Sequence, residues 1–392
     1  MINIKDKSKC CGCNSCFNIC PTGSIDMVED VEGFLYPKID KNTCIECNLC
    51  KMRCPILKDK KSITPEIFGC YSKNKNIRQK SSSGGLFTIL SKIIISENGI
   101  VYGAKFDKNN QVIHDYTSSY EELIFFRGSK YVQSNTTNTY KNVKLHLEQG
   151  KKVLFTGTPC QIAGLKTFLN KDYDNLICID IICHSVPSPM VYNKYLNFME
   201  KKYKSKIKTI NFRNKDNGWL NYNIEIEFIN KKSITEKGVD NLYMKGFLMN
   251  LYGRPSCTNC QFKNFTSGSD ITLGDFWGIE TIDSDFYDSK GVSLVCINTK
   301  KGTVIFDRIS KDDIKFKRFP INVVVERNPA LIKSVEDNKY REHFYKYLNN
   351  TNINICKLIN KYTKLPIKKR LENNVYIIKE KTKINIKKVM KL

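Results

Sequence analysis

Cys10–Pro21 reads CCGCNSCFNICP and Cys44–Pro55 reads CIECNLCKMRCP. Both are Cys-x2-Cys-x2-Cys-x3-Cys-Pro, once from Cys10, Cys13, Cys16 and Cys20, and once from Cys44, Cys47, Cys50 and Cys54. Such paired runs hold two 4Fe-4S clusters, the fourth Cys of each run ligating the other cluster. Two intervening residues let three thiolates curl around three irons, whereas the fourth must come from a chain that has folded back. The expected ligand sets are Cys10, Cys13 and Cys16 with Cys54, and Cys44, Cys47 and Cys50 with Cys20. Proline after the fourth Cys fixes φ and closes the loop. Zinc knuckles take their thiolates in pairs, so triplets with a proline-marked fourth member argue against them. Cys11 falls outside the pattern and reads as a bystander.

Around these runs, the 392 residues include 64 Lys or Arg, 39 Asp or Glu and 17 Cys, for a net charge of +25. An odd number of cysteines cannot all pair within the chain. No charged-then-apolar leader precedes Cys10, so secretion is not expected. The apolar stretch around Leu86–Ile95 contains Lys92 and is too short to cross a bilayer. A reducing, cytoplasmic setting with metal-bound thiolates fits this cysteine usage. Lys supplies 54 of the 64 basic residues, a bias that low-GC coding alone produces, and no nucleic-acid partner is expected. The segment Lys357–Leu392 concentrates charge, with twelve basic residues against Glu372 and Glu380. It reads either as a solvated terminal helix or as a peripheral dock for anionic lipid or a protein partner.

After Pro55, Lys58, Lys60, Lys61 and Pro65 mark a linker. Strand and helix signals then alternate. Strands are expected at Gly69–Ser72, Ile100–Phe106, Lys152–Phe155 and Leu176–Ile182. Helices are expected at Gly85–Ser96, Tyr140–Gln149, Gln161–Leu169 and Pro189–Lys204, the last with Pro in its first turn. Ile207–Ile229 is β-rich, and Tyr222–Phe228 alternates apolar with polar as a half-exposed antiparallel strand does. The fold class expected is α+β: an N-terminal ferredoxin-like two-cluster module followed by a larger α/β domain with a mixed sheet.

Four further cysteines form a second constellation. Cys160 ends the turn Thr156-Gly157-Thr158-Pro159-Cys160 between a strand and a helix, and Cys183 ends the next strand. Consecutive strand ends of a parallel sheet share an edge, and Cys257 with Cys260 is a short chelating loop. Together they offer ligands for a third 4Fe-4S cluster, with buried inert thiols or a half zinc site as the alternatives. Ser81-Ser82-Ser83-Gly84-Gly85 opens a helix, where free N–H groups attract phosphate; a Ser-rich helix cap reads equally well. Arg127-Gly128-Ser129-Lys130-Tyr131 supplies cations and a ring, or is an ordinary surface loop.

Taken together, these motifs resemble the beta-subunit family of coenzyme F420 hydrogenases and dehydrogenases, which includes hydroxymethyl chlorophyll reductase. The resemblance runs through the ferredoxin module, the Ser81–Gly85 loop, Arg127–Gln133, Gly157–Gln161, Cys183–Pro189, Arg254–Cys257 with Cys260, and Gly274–Gly278. It implies a ferredoxin module at 1–58, a linker at 59–68, an FAD and 4Fe-4S domain at 69–350 and a basic tail at 351–392. It also implies FAD beside a cluster on Cys160, Cys183, Cys257 and Cys260. The implied FAD contacts are Ser83, Gly84, Gly85, Ser129, Lys130, Thr156, Gly157 and Thr158. Catalytic candidates are His184, as a proton donor or a structural His, and Asp275, as an orienting carboxylate or a buried turn residue. The function expected is an iron–sulfur flavoprotein oxidoreductase. Electrons would pass between a ferredoxin or other redox protein, the clusters and FAD, with hydride transfer to or from an unidentified small molecule. The alternative is an electron-transfer subunit docked on a catalytic partner. Cys70, Cys178, Cys296 and Cys356 carry no expected role.

Overall fold

The computed structural model describes residues 2–349 and 353–364. Each cysteine run is a tight loop followed by a short helix, Ser15–Ile19 or Leu49–Met52. The chain enters these helices through Asn14 and Asn48 at φ 65° and 59°, a left-handed conformation that Asn tolerates through local hydrogen bonding. Between the runs, β1 (Ile25–Glu29) and β2 (Leu35–Ile39) form an antiparallel hairpin.

The remaining strands are β3 (Glu66–Ser72), β4 (Ile100–Phe106), β5 (Val112–Thr117), β6 (Val153–Gly157), β7 (Leu176–Ile181), β8 (Ile207–Asn214), β9 (Asn223–Phe228), β10 (Ser233–Lys237), β11 (Ile271–Asp275), β12 (Ser293–Ile297) and β13 (Ile314–Arg318). Eight of them make one mixed sheet in the order β13-β3-β12-β11-β7-β6-β4-β5. Strands β8 to β10 form a separate antiparallel sheet. The mixed sheet is the one expected from the sequence. Strands β4, β6, β7 and β11 are mutually parallel, and β3 shares their direction because both β3 and β11 run antiparallel to β12. The carboxyl ends of these five strands therefore meet one edge. Register fixes that edge at Gly157 beside Asp180, Leu273 beside Ile181, and Asp275 beside Ser293.

Alternation along the strands divides the core into two layers. Leu154, Ile179 and Val295 pack with Leu86, Ile89, Leu90 and Ile94 of the helix Leu86–Ser96. Val153, Phe155 and Cys178 face the other way, onto Tyr140, Ile162 and Leu165. The helix Pro159–Leu169 starts with Pro in its first turn and a capping box between Thr158 and Gln161, two devices that place its start firmly at the sheet edge. Cys70, Cys178 and Cys296 are core residues, each 0% exposed. The helix Ile355–Thr363 buries Ile355, Leu358, Ile359 and Tyr362 in the cluster that holds Tyr192, Tyr243 and Phe344. The rest of the basic tail, 365–392, lies outside the described residues. Among the described residues no helix is long and apolar enough to cross a membrane.

The ferredoxin module is seated on the larger domain through specific contacts. Asn18 donates to the Thr137 carbonyl at 2.8 Å, and Arg341 forks onto Glu32 at 2.6 and 2.5 Å. Gly164, on the helix Pro159–Leu169, faces the module so closely that a Cβ there would stand 2.7 Å from Cys13 Cβ and 2.8 Å from the Tyr140 hydroxyl. Gly164→Ala should therefore loosen the seat by about 1–3 kcal/mol of overpacking. The expected readouts are a lower denaturant midpoint and faster protease nicking in 59–65. Unchanged nicking would show that this contact does not hold the two parts together.

Candidate functional site

Three groups of thiols emerge between the outer end of the module and the sheet edge. Cys20, Cys44, Cys47 and Cys50 line one cavity together with Ile25, Ile39, Ile45 and Leu49. Its rim is open, since Cys47 and Ile45 are exposed. Cys10, Cys13, Cys16 and Cys54 form the second group, on the side facing the larger domain. Burial, with Cys10 and Cys54 adding their charge, pushes the Cys16 thiol up to about 12.

The third group is built from both parts of the chain. Cys160, Cys183, Cys257 and Cys260 line a cavity whose remaining wall includes Ser8, Cys11 and Ile56 of the module. Strand ends set two of the thiols, since Cys160 follows β6 and Cys183 follows β7. The turn Pro255–Cys257 and its continuation bring the other two. Burial pushes the Cys257 thiol up to about 12, with Cys160 and Cys260 adding to it. Thiols held this high stay protonated unless a cationic centre takes them as thiolates. Two buried cations stand by: Arg254 is 1% exposed and Lys263 9% exposed, and no carboxylate is among the described residues lining the cavity. The Lys263 ammonium donates to the Cys183 carbonyl and, at 2.8 Å, to that of Ala330. Buried cations without anions are costly, so a donor set of four thiols flanked by two of them suits an anionic iron–sulfur cluster. Among the described residues no group of three or more His, Cys, Asp or Glu has the geometry of a single-ion site.

Residues 150–320 match the model for the C terminus of the coenzyme F420 hydrogenase/dehydrogenase beta subunit, and residues 9–56 match that for a 4Fe-4S dicluster domain. Residues 150–320 carry the C-terminal domain of that beta-subunit family, behind a 4Fe-4S dicluster domain at 9–56. The chain is thus an iron–sulfur electron-transfer protein of an oxidoreductase family. An uncharacterized ferredoxin of Methanocaldococcus jannaschii is 38% identical over 52 residues, which are 13% of this chain and 66% of the ferredoxin. A chain of the F420-reducing [NiFe] hydrogenase complex from Methanosarcina barkeri aligns with a TM-score of 0.46 and 18% identity, over 73% of this chain and 92% of that one.

The flavin candidates end or follow strands of the mixed sheet, and several are engaged by their own chain. Ser83 Oγ donates to the Val292 carbonyl at 2.7 Å, and the Gly84 N–H donates to Ser293 Oγ at 2.9 Å. A Cβ on Gly84 would stand 2.4 Å from the Cys70 carbonyl, so the loop lies against β3 and β12 only with glycine there. Gly85, at φ 93°, turns the chain into the helix Leu86–Ser96. Ser129 meets Ser82 hydroxyl to hydroxyl at 2.9 Å. Lys130 turns back on the carbonyls of Phe125, Arg127 and Gly128, and burial lowers its ammonium to about 7. Thr156 Oγ1 donates to the Tyr102 carbonyl at 2.9 Å. Gly157 ends β6, and Thr158 caps the following helix with its hydroxyl 3.2 Å from Cys160 Sγ.

Both catalytic candidates have partners of their own. His184 donates Nε2–H to Asn250 Oδ1 at 2.7 Å and lies edge-on to Phe247; burial lowers its pKa, favouring the neutral ring. Asp275 takes a fork from Arg213 at 3.0 and 3.1 Å and the Trp219 indole N–H at 2.8 Å. Trp219 in turn stacks on Trp277 at 5.1 Å with 2° between planes.

Two residues unmarked in the sequence complete the edge. Arg213 donates to the Ser82 carbonyl at 3.3 Å, and Lys215 to the Arg78 and Ser83 carbonyls at 2.6 and 3.1 Å. Burial, with nearby Arg213 adding, lowers Lys215 to about 7. Arg127 keeps a buried Nε with no partner. Lys215 and Ser129 contact the Ser81–Gly85 loop, and Arg127 and Lys130 flank Ser129 in sequence, a set of cations that fits a bound pyrophosphate. Asp275→Asn should leave the Arg213 guanidinium buried without its countercharge, at a cost of about 3–5 kcal/mol. Urea unfolding measures this, and a wild-type midpoint would show that Asp275 does not anchor Arg213.

Proposed function

We propose that the chain is an iron–sulfur flavoprotein oxidoreductase of the cytoplasm that links a ferredoxin-type one-electron carrier to an organic substrate. When bound, the clusters supply one-electron transfer and FAD exchanges electrons in pairs with the substrate. The observation that carries the reading is the loop Thr156–Cys160. At one end Thr156 and Gly157, themselves flavin candidates, close β6, and at the other Cys160 lines a thiol cavity that the ferredoxin module helps to wall.

The residues divide the work. Cys10, Cys13, Cys16 and Cys54, and Cys20, Cys44, Cys47 and Cys50, would hold the two N-terminal clusters. Cys160, Cys183, Cys257 and Cys260 would hold a third, with Arg254 and Lys263 balancing its charge. Ser82, Ser129 and Arg127 would bind the FAD pyrophosphate, while Lys130 and Lys215, whose donors hold backbone carbonyls, would add positive potential. Asp275 holds Arg213 and Trp219 in place at the same edge and acts as a positioning residue. His184, neutral and hydrogen-bonded to Asn250, has a proton on Nε2 near the third thiol group.

A second reading, an electron-transfer subunit docked on a catalytic partner, is favoured by one feature. Ile124 and Phe125, immediately before the Arg127–Lys130 loop, are 47% and 62% exposed, and adjoining exposed apolar side chains suit a protein contact.

Anaerobic purification with iron, sulfide and flavin assays should return about twelve irons per chain for three clusters, against about eight for two, and one equivalent of FAD. Cys257→Ala should remove about four irons. A chain that takes up no flavin after gentle purification and reconstitution refutes the enzyme reading. Lys215→Met should weaken FAD binding by removing positive potential, since the three donors of its ammonium already hold the Arg78, Ser83 and Lys290 carbonyls. Lys130 and Lys215, lowered by burial to about 7, attract phosphate by their charge only in their protonated form. FAD affinity, followed by flavin fluorescence, should therefore fall as pH rises through the neutral range, and a flat profile would exclude a contribution from either ammonium.

A further inference from the structure

Cys11 lies outside the ligand pattern, yet the fold places it where a passive residue has no reason to be. It is 7% exposed and packs with Cys13, Ala163 and Phe262, against Cys160 and Cys260. Its side chain lies between Cys13 on one side and Cys160 on the other. Cys13 belongs to the second thiol group and Cys160 to the third, so a single side chain touches a member of each. The same side chain forms part of the third cavity's wall.

The backbone holds it there. The Cys11 carbonyl accepts from Gln133 Nε2 at 3.2 Å, and the Cys10 carbonyl accepts from Arg254 Nε at 2.7 Å. Gln133 Oε1 in turn takes Arg254 Nη1 at 2.9 Å. Arg254 is three residues from Cys257, so one buried guanidinium fixes Cys11 relative to both thiol groups. No comparable side chain joins the first group, Cys20, Cys44, Cys47 and Cys50, to the third cavity among its described lining residues.

We propose that Cys11 is the bridging residue through which an electron passes between the cluster on Cys10, Cys13, Cys16 and Cys54 and the cluster on Cys160, Cys183, Cys257 and Cys260. This rests on the three-cluster reading above. It orders the route as outer cluster, inner cluster, third cluster. The step moves one electron from the reduced inner cluster to the oxidised third cluster. Cys11 remains a thiol throughout and is not a ligand.

The test uses the full chain, reconstituted anaerobically, as wild type, Cys11→Ala and Cys11→Ser. Iron is counted first. A photochemical one-electron reductant is then pulsed in, and freeze-quenched electron paramagnetic resonance follows the spin as it moves from the N-terminal clusters to the third. Both variants should keep the wild-type iron content. Cys11→Ala, which empties the contact, should slow the transfer several-fold, and Cys11→Ser, which refills it, should recover most of the rate. An unchanged rate in Cys11→Ala overturns the proposal. So does a loss of about four irons in either variant, which would make Cys11 a ligand. Wild-type protein with iron for only two clusters fails the underlying three-cluster reading instead, and does so before any variant is compared.

Discussion

Arg254 is the interaction on which the rest of the molecule depends. A guanidinium 1% exposed is tolerable only when its donors are all used and negative charge is close by. Here the donors reach the Cys10 and Leu35 carbonyls and Gln133, and the plane rests on Tyr36 at 4.3 Å. Against the cost of burial, Cys10, Tyr36, Cys11 and Cys257 favour its charged form. One side chain therefore couples three matters that could have been separate: how the module is seated, how the second thiol group is oriented, and how charge is balanced at the third. Lys263 adds a second buried cation to the third group's cavity, held by the Cys183 and Ala330 carbonyls.

The cysteine runs are legible in the sequence because their chemistry is local: spacing within each short run sets which thiols can share a cluster, and little tertiary information is needed. The mixed sheet is legible from alternation and from strands ending in short turns. Arg213 and Lys215 are not. They lie at the end of β8 and just beyond it, in a different sheet, and reach the Ser81–Gly85 loop only through the fold. Nothing in Asn211-Phe212-Arg213-Asn214-Lys215 separates them from the other cations of so basic a chain. Asp275 stands out as a residue of interest, but its fork to Arg213 and its hold on Trp219 depend on partners 62 and 56 positions away. Cys11 reads as a bystander because spacing alone defines ligands, while a role between ligand groups exists only in three dimensions. The strands β12 and β13 have no motif because a five-residue buried strand such as Ser293–Ile297 carries little signal beyond being apolar.

The charge and the cysteines also change meaning with the structure. Most of the +25 is surface lysine, but four cations, Arg254, Lys263, Lys130 and Lys215, are buried or inward-turned at the edges where thiols and backbone N–H groups converge. Their ammonium and guanidinium groups are satisfied chiefly by carbonyls. Carbonyls hold a cation in place without neutralising it, and so leave positive potential available for an anionic cofactor.

The placement of β3 bears on how the protein is made. This strand follows the module in sequence, yet its partners are β12 and β13, at the far end of the sheet domain's sequence. A chain emerging from the ribosome completes the ferredoxin module first, while β3 waits for its neighbours until nearly the whole sheet domain has been synthesised. Pairing over such separation is slow. The module's two cysteine loops are therefore whole and able to take up iron during a long interval in which the surface they will rest on does not yet exist.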